Sequence, residues 1–459
     1  MAVLCFAATS TTTFAQNLNS AYFTKDFKYR HVLNPAMEND QNYFALPFLG
    51  HVNFGAHSDF AIKDVIMDNP MYPHSSEHRL TTFMNPYISV DDALKGFNKG
   101  DNKFVQNLDL AILSTGFKSF GGYSTIELNL RQSLGLSLPY ELFEFAKNTG
   151  NKVYEIGDIN ASAQAFAELA FGHSRQINDQ LRLGAKVKFL IGAGRVDLAM
   201  NDMRADLSGA NQWSLSGKAE ANVSLKGLQY ISETKEYKEE GRGTYQQITD
   251  LDVDGAGIGG FGVAFDLGAV YKINDDWTVS ASLLDLGMIS WSNNLLAASS
   301  GKDFVFDGFH DVTVKGDGKL SNKTDKLGDQ FSDFAHLSDQ GDTGGRSTGI
   351  GATMNLGAEY TLPSYRQMKF GALLTSRING EYSWTEGRLS ANWEPLQWID
   401  GGVSFAASNF GASMGWVVNI HPKAFNFFIG MDHLLTSCSS EGLPLGSNNS
   451  ISVGMNIAW

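Results

Sequence analysis

No stretch of this chain carries the roughly 18 consecutive apolar residues that a membrane-spanning helix requires. A bilayer could then be crossed only by strands closed into a barrel, the other way to satisfy every backbone group in lipid. Charge is also sparse: 18% of residues are charged, and the balance is −14. An acidic chain with no basic stripe excludes a nucleic-acid partner and argues against simple adsorption to anionic lipid. Cysteine is nearly absent. Cys5 lies in the apolar N-terminus, so Cys438 would stand alone after processing, and one thiol makes no intramolecular disulfide. Proline occurs only 10 times in 459 residues, which leaves long stretches free to donate to strand ladders.

Glycine and aromatic residues are abundant, with 48 Gly, 31 Phe, 15 Tyr and 8 Trp. Ala2-Val3-Leu4-Cys5-Phe6-Ala7-Ala8 followed by Thr13-Phe14-Ala15-Gln16 reads as the apolar core and small-residue cleavage site of a signal peptide, residues 1–16, without the usual basic start. Residues 17–42 then precede the first good strand pattern and contain the turn Asn34-Pro35-Ala36. They are expected to form a plug-like segment, periplasmic or inside the barrel mouth.

From residue 43 the chain is a succession of period-2 segments. Ile350, Ala352, Met354, Leu356, Ala358, Tyr360 and Leu362 alternate with Gly351, Thr353, Asn355, Gly357, Glu359 and Thr361. In a strand these sets occupy opposite faces, one apolar and one small or polar. The same alternation runs through Phe261–Ile273, Leu181–Ile191, Phe425–Met431 and Ile126–Arg131. A soluble sandwich alternates too, but its wet face would be rich in Lys and Glu. Here that face is Gly, Ser, Asn and Thr with few charges, which suits a crowded barrel interior. Glu127, Arg131, Glu168, Arg182, Lys186, Lys188, Asp266 and Glu359 are the candidate lumenal charges. Arg182, Lys186 and Lys188 are expected to pair with carboxylates such as Glu168, Asp266 and Glu359.

Loop lengths sort by side. Short links fall near 395–398, 363–367, 274–276, 210–212, 178–180 and 118–122, and long ones span 138–160, 228–256 and 293–348. Outer-membrane barrels have short periplasmic turns and long outer loops. The expected architecture is therefore an all-β antiparallel transmembrane barrel over 43–459. About 16 segments are visible, and 14 strands are expected within a range of about 12–16. Trp277, Trp291, Trp393, Trp398 and Trp459 fall at or near strand ends, where interfacial rings belong. The last strand sets Ile451, Val453, Met455, Ile457 and Trp459 on one face, and it resembles the signal read by the barrel-assembly machinery. Outer-membrane lipid and that machinery are the expected partners, with an envelope protein contacting the outer loops.

Several motifs carry no chemistry in this setting. Gly255–Gly260 satisfies GxGxxG but leads into a strand rather than a helix. Gly411-Ala412-Ser413-Met414-Gly415 satisfies GxSxG, but Ser413 lies within a strand pattern, not at a strand-to-helix elbow. Asp250, Asp252 and Asp254 resemble half a calcium loop and are a weak candidate for cation binding, since Phe261 stands where the twelfth-position acid belongs. The ten histidines show no close metal spacing. Tyr140–Lys147 reads as a short amphipathic helix in an outer loop. No cofactor and no enzymatic activity are expected.

The segments Ala21-Tyr22-Phe23 through Asn34-Pro35-Ala36, Phe120–Asn129 and Leu284–Trp291 resemble a family of uncharacterised outer-membrane proteins from Bacteroidota. Asn34, Pro35 and Ala36 carry a more distant resemblance to the long-chain fatty acid transporter superfamily, which includes the barrel shuttle of type IX secretion. That resemblance implies about 14 strands and an N-terminal segment folded into the lumen. The function expected is a plugged transport channel for a small solute, hydrophobic solutes included. The alternative is a non-enzymatic assembly or secretion partner that works through its outer loops.

Overall fold

The computed structural model describes residues 18–45, 47, 50–74, 78–209, 212–237, 243–255, 257–299, 301, 303–306, 334, 336–434 and 448–459. The signal-peptide segment 1–16, Cys438 and much of the 293–348 connection lie outside these described residues.

Fourteen antiparallel strands close into a barrel. In chain order they are β1 (Tyr43–Ala45 and Val52–Ser58), β2 (Asp101–Ser119), β3 (Gly122–Pro139), β4 (Val153–Gln176), β5 (Leu181–Asp206), β6 (Gly260–Lys272) and β7 (Trp277–Trp291). They continue with β8 (Arg346–Gly349 and Ala352–Thr361), β9 (Met368–Ile378), β10 (Trp384–Leu396), β11 (Ile399–Ser408), β12 (Gly411–Ile420), β13 (Phe425–Met431) and β14 (Asn448–Ala458). β14 pairs with β1 in the register Val52↔Val453 and Tyr43↔Ala458, which leaves the barrel wall no open edge.

The period-2 pattern becomes two environments. On β6, Phe261 and Leu267 are 63% and 54% exposed on the lipid side, whereas Ala264 and Asp266 between them are 0% and 1% exposed. Tyr271, Trp277, Trp393, Trp398 and Trp459 are exposed around the periplasmic rim, as an interfacial girdle requires. Trp291 departs from that expectation. It is buried at the outer end of β7 with Phe166, Leu190, Ala264, Ile289 and Ile350, and its Nε1 donates to Thr348 Oγ1 at 2.8 Å. Gly192 makes the room, since a Cβ there would press on the indole ring.

The long connections all lie on the outer side of the wall, but that side also carries the short links 379–383 and 409–410, and one expected position needs correction. The link near 210–212 joins strands on the outer side, not the periplasmic side. β5 is 26 residues long, against the roughly 9–11 a membrane strand needs. Up to Gly192 it pairs with β6, and from Gly194 onward it pairs with Trp213–Leu225. This fork begins an outer sheet, continued by Leu295–Ser299, Leu337–Asp342 and the hairpin Leu228–Glu236 with Thr244–Val253. The 228–256 connection is thus a β-hairpin, and 293–348 contributes strands to the same sheet. The helix Tyr140–Lys147 forms where the sequence places it. It packs on the outer connection 59–100, with Phe143 stacked on Phe97 at 4.0 Å between centroids.

Candidate functional site

Residues 18–42 fold back into the barrel and fill the half that carries the short turns and Trp459. Leu18, Tyr22, Phe23, Phe27, Tyr29, Leu33 and Met37 form one buried cluster with Tyr43, Leu373, Val417 and Phe428 of the wall. Phe27 meets Phe428 edge-on at 4.8 Å, a favoured aromatic geometry. The lumenal glycines are where the segment packs. A Cβ on Gly357 would meet the rings of Tyr22 and Phe23, one on Gly371 the ring of Phe23, and one on Gly430 Leu18.

The segment is also tied by polar bonds. The amides of Asn19 and Ser20 donate to the Asp432 carboxylate at 2.7 and 2.6 Å. Arg388 donates to Ser20 Oγ at 3.0 Å while its other bonds hold Glu386 and Ser404. Asn34 Nδ2 donates to the Ala269 and Ala281 carbonyls at 3.3 and 3.2 Å, and its Oδ1 accepts from the Ala36 amide at 3.0 Å. The Asn34-Pro35-Ala36 turn therefore lies in the lumen against β5, β6 and β7, where a Cβ on Gly184 or Gly268 would collide with it. Burial lowers the pKa of Lys28 despite the opposing charges of Asp26, Asp40 and Asp400. Burial raises that of Tyr29, helped by Glu127.

Above the plug a belt of charge crosses the lumen. Arg131 donates to Asp109 at 2.8 Å, to Glu168 at 2.9 Å and to both Asp285 oxygens at 2.7 and 2.9 Å. Lys188 lies 2.8 Å from Asp266 and 2.6 Å from Asp285, and Arg377 lies 3.5 Å from Asp285. Asp285 has a φ of 60° and sits beside a register shift between β6 and β7. A bulge of this kind re-aims a side chain, and here the Asp285 amide donates to Asp266 Oδ1 at 2.7 Å. Lower down, Lys186 lies 3.1 Å from Glu127, which is also bonded to His31 of the plug.

Six of the eight charges expected in the lumen, Glu127, Arg131, Glu168, Lys186, Lys188 and Asp266, meet in these two groups. The expected pairing is corrected in detail. Lys186 sits opposite Gly172, which has no side chain to block it, and reaches past β4 to Glu127 on β3. Arg182 reaches Glu38 of the plug, and Glu359 takes Lys369 at 2.8 Å on the neighbouring strand. Asp109, Asp285, Arg377, His31 and Glu38 were not singled out from the sequence. Asp109 could have been found from its polar-face position between Leu108 and Leu110. Asp250, Asp252 and Asp254 are exposed along and just past the strand Thr244–Val253. Among the described residues the acidic and histidine side chains that converge tightly are instead Asp26, Asp400 and His421.

Beyond the belt the lumen opens to a cavity of about 450 Å³, lined by Asn107, Ser162, Gln164, Arg195, Asp197, Arg377, Tyr382 and Trp384. Two cavities of about 40 Å³ each follow inward, the first reached past Arg377 and Trp384, the second past Arg131 and Asp285. The outer cavity is within the usual size of a small-ligand site, whereas the inner two have room for a few waters and no more.

A family model described as "Family of unknown function (DUF5723)" matches residues 35–432. No curated protein matches. Among solved structures the chain is similar to a TodX deltaS2S3 mutant monoaromatic hydrocarbon channel, at 11% identity and a TM-score of 0.42, covering 98% of this chain and 95% of that one. It is similar to the toluene transporter TbuX of Ralstonia pickettii, at 10% identity and a TM-score of 0.37, covering 97% and 94%. It is also similar to a Pseudomonas aeruginosa FadL homologue, at 11% identity and a TM-score of 0.38, covering 97% and 98%.

Proposed function

Because the chain belongs to this family of unknown function, we propose from its own lumen that it is a plugged outer-membrane channel for a small polar solute. The observation that carries this reading is the sequence of spaces along the axis. A vestibule of about 450 Å³ ends on an ion-paired belt, and below it a buried segment closes the periplasmic half. Passage requires residues 18–42 to shift and the belt to part. The vestibule wall offers Arg195, Gln164 and Asn107 for hydrogen bonds and the rings of Tyr382 and Trp384 for stacking. That chemistry suits a solute with polar groups on a compact ring, a narrower reading than the small solute, hydrophobic ones included, expected from the sequence. Export by the 1–16 leader and insertion by the barrel-assembly machinery complete the reading.

Planar-bilayer recording tests it. Deleting 18–42 should raise conductance severalfold in a barrel that still shows heat-modifiable mobility on gels. Unchanged conductance in a folded deletion variant would refute the plugged channel.

The outer sheet favours a second reading, an envelope protein partner. Ile231, Leu251 and Val253 are exposed on its hairpin beside Asp250 and Asp252. Removal of 228–256 should then release a stoichiometric partner from mild-detergent extracts, and a barrel that purifies alone before the deletion would count against it.

A further inference from the structure

The periplasmic rim holds a group of side chains that lies outside both the plug's apolar cluster and the lumenal belt. Asp26 belongs to the plug, Asp400 is the second residue of β11, and His421 follows the last residue of β12. One ligand atom from each lies within 4.8 Å of the others. His421 Nε2 is 3.4 Å from Asp400 Oδ1 and 3.9 Å from Asp26 Oδ2. The His421 side chain is only 6% exposed, and its Nε2 makes no well-formed hydrogen bond. A buried ring nitrogen that faces two carboxylates at ion-pair distance yet forms no well-aligned hydrogen bond to either is poorly satisfied as it stands.

We propose that Asp26, Asp400 and His421 form a divalent-cation site of zinc type that bridges the plug to the barrel wall. One nitrogen and two carboxylate oxygens are a donor set zinc accepts, with water in a fourth position. Bond lengths of about 2.0–2.1 Å place tetrahedral ligand atoms about 3.3 Å apart. The two edges from His421 are at that spacing or within about 0.6 Å of it. The carboxylate of Asp400 is already oriented, since its Oδ1 accepts from Asn419 Nδ2 at 2.6 Å and its Oδ2 from the Asp26 amide at 3.1 Å. Such outer bonds fix the direction of a metal ligand. The cations nearby are Lys28, whose ammonium donates away from the group to Gln41 Oε1 at 3.2 Å, and Lys25, which pairs with Glu394 at 3.6 Å. The site needs both partners of the closed state: Asp26 leaves with the plug, and Asp400 and His421 stay with the wall. A bound cation therefore holds the channel shut from the periplasmic side.

The test is calorimetric titration of the full-length protein in detergent, stripped with EDTA, against zinc chloride alone. The expected result is one saturable site. His421→Ala and Asp26→Asn should each weaken it at least about tenfold. His74→Ala, at an exposed histidine of the outer connection, should leave it unchanged. Heat-modifiable mobility reports whether each variant is folded, and His421→Gln replaces His421→Ala should the alanine variant fail. No zinc heat with wild-type protein, or equal affinity in a folded His421 variant, overturns the site. Affinity lost at His421 but kept in Asp26→Asn overturns the bridge to the plug.

Discussion

Arg131 grips Asp285 with two parallel bonds, from Nη1 to Oδ1 at 2.7 Å and from Nη2 to Oδ2 at 2.9 Å, across the middle of the lumen. The two residues sit on β3 and β7, four strands apart in the wall. Bonds of this forked kind are the strong ones, and Lys188 and Arg377 share the same carboxylate. Asp285→Asn removes the charge that faces all three cations. Breaking one partner of a buried pair costs about 3–5 kcal/mol, so the variant should unfold from detergent at clearly lower urea. Its conductance should also rise if the belt is the constriction that the cavities imply. A variant as stable as the wild type would mean that Asp109, Glu168 and Asp266 suffice to compensate these cations.

The Asn34-Pro35-Ala36 turn depends on two glycines of the wall. Gly184→Val or Gly268→Val puts a side chain where the Pro35 carbonyl or the Asn34 side-chain oxygen now lies. The barrel ladder can accept valine, a residue at home in strands, so the turn must give way. Both variants should show more frequent openings in planar bilayers, approaching the behaviour of the 18–42 deletion. Gly387→Val is the control, because nothing lies within 4 Å of its added Cβ. Openings equally frequent in all three variants would mean that the effect is general to the wall.

These glycines mark what the sequence could and could not convey. A strand face of Gly, Ser and Asn with few charges was legible as a crowded interior, and the alternation alone fixed which side of β6 meets lipid. What crowds the interior was not legible, because nothing in the sequence around Gly184 or Gly268 says that the Asn34-Pro35-Ala36 turn packs against them. The charges on β3, β4 and β5 were legible as lumenal, but their partners depend on register. Lys186 reaches Glu127 only because Gly172 stands between them. The fork in β5 was hidden because residues 194–206 alternate no differently above the membrane than below it. The Asp26, Asp400 and His421 group joins positions nearly 400 residues apart in sequence, so no local spacing announces it.

His433, just past β13, supplies a pH dependence. Its folded-state pKa is pushed well below the ordinary value by burial first, then by His57 and Arg388. Glu386 lies 3.8 Å away, and Asp432 precedes it in the chain. A histidine held neutral when folded takes up its proton only on unfolding. Its contribution is therefore flat above about pH 6.5 and turns against the fold as pH drops below that value. One pH unit of this linkage amounts to about 1.4 kcal/mol at most. The gel-shift midpoint temperature should fall between pH 7.5 and pH 5.5, and His433→Gln should flatten part of that fall. A variant with the wild-type slope would assign the acid sensitivity to other groups.

The last strand ends on a residue whose backbone and ring do different things. The Trp459 amide and carbonyl exchange bonds with the Asn42 carbonyl and amide, both at 3.1 Å, so the chain end closes the ladder where the plug enters β1. The indole itself is 61% exposed at the periplasmic rim. Trp459→Ala keeps both backbone bonds and loses only the exposed ring. The folded barrel should then melt close to the wild-type temperature, while its appearance in pulse-chase gels should slow several-fold. Ile457, exposed on the same face, should give a weaker version of that delay as Ile457→Ser. If Trp459→Ala instead folds at the wild-type rate but melts early, the ring acts as an interfacial anchor rather than as the mark that the assembly machinery reads.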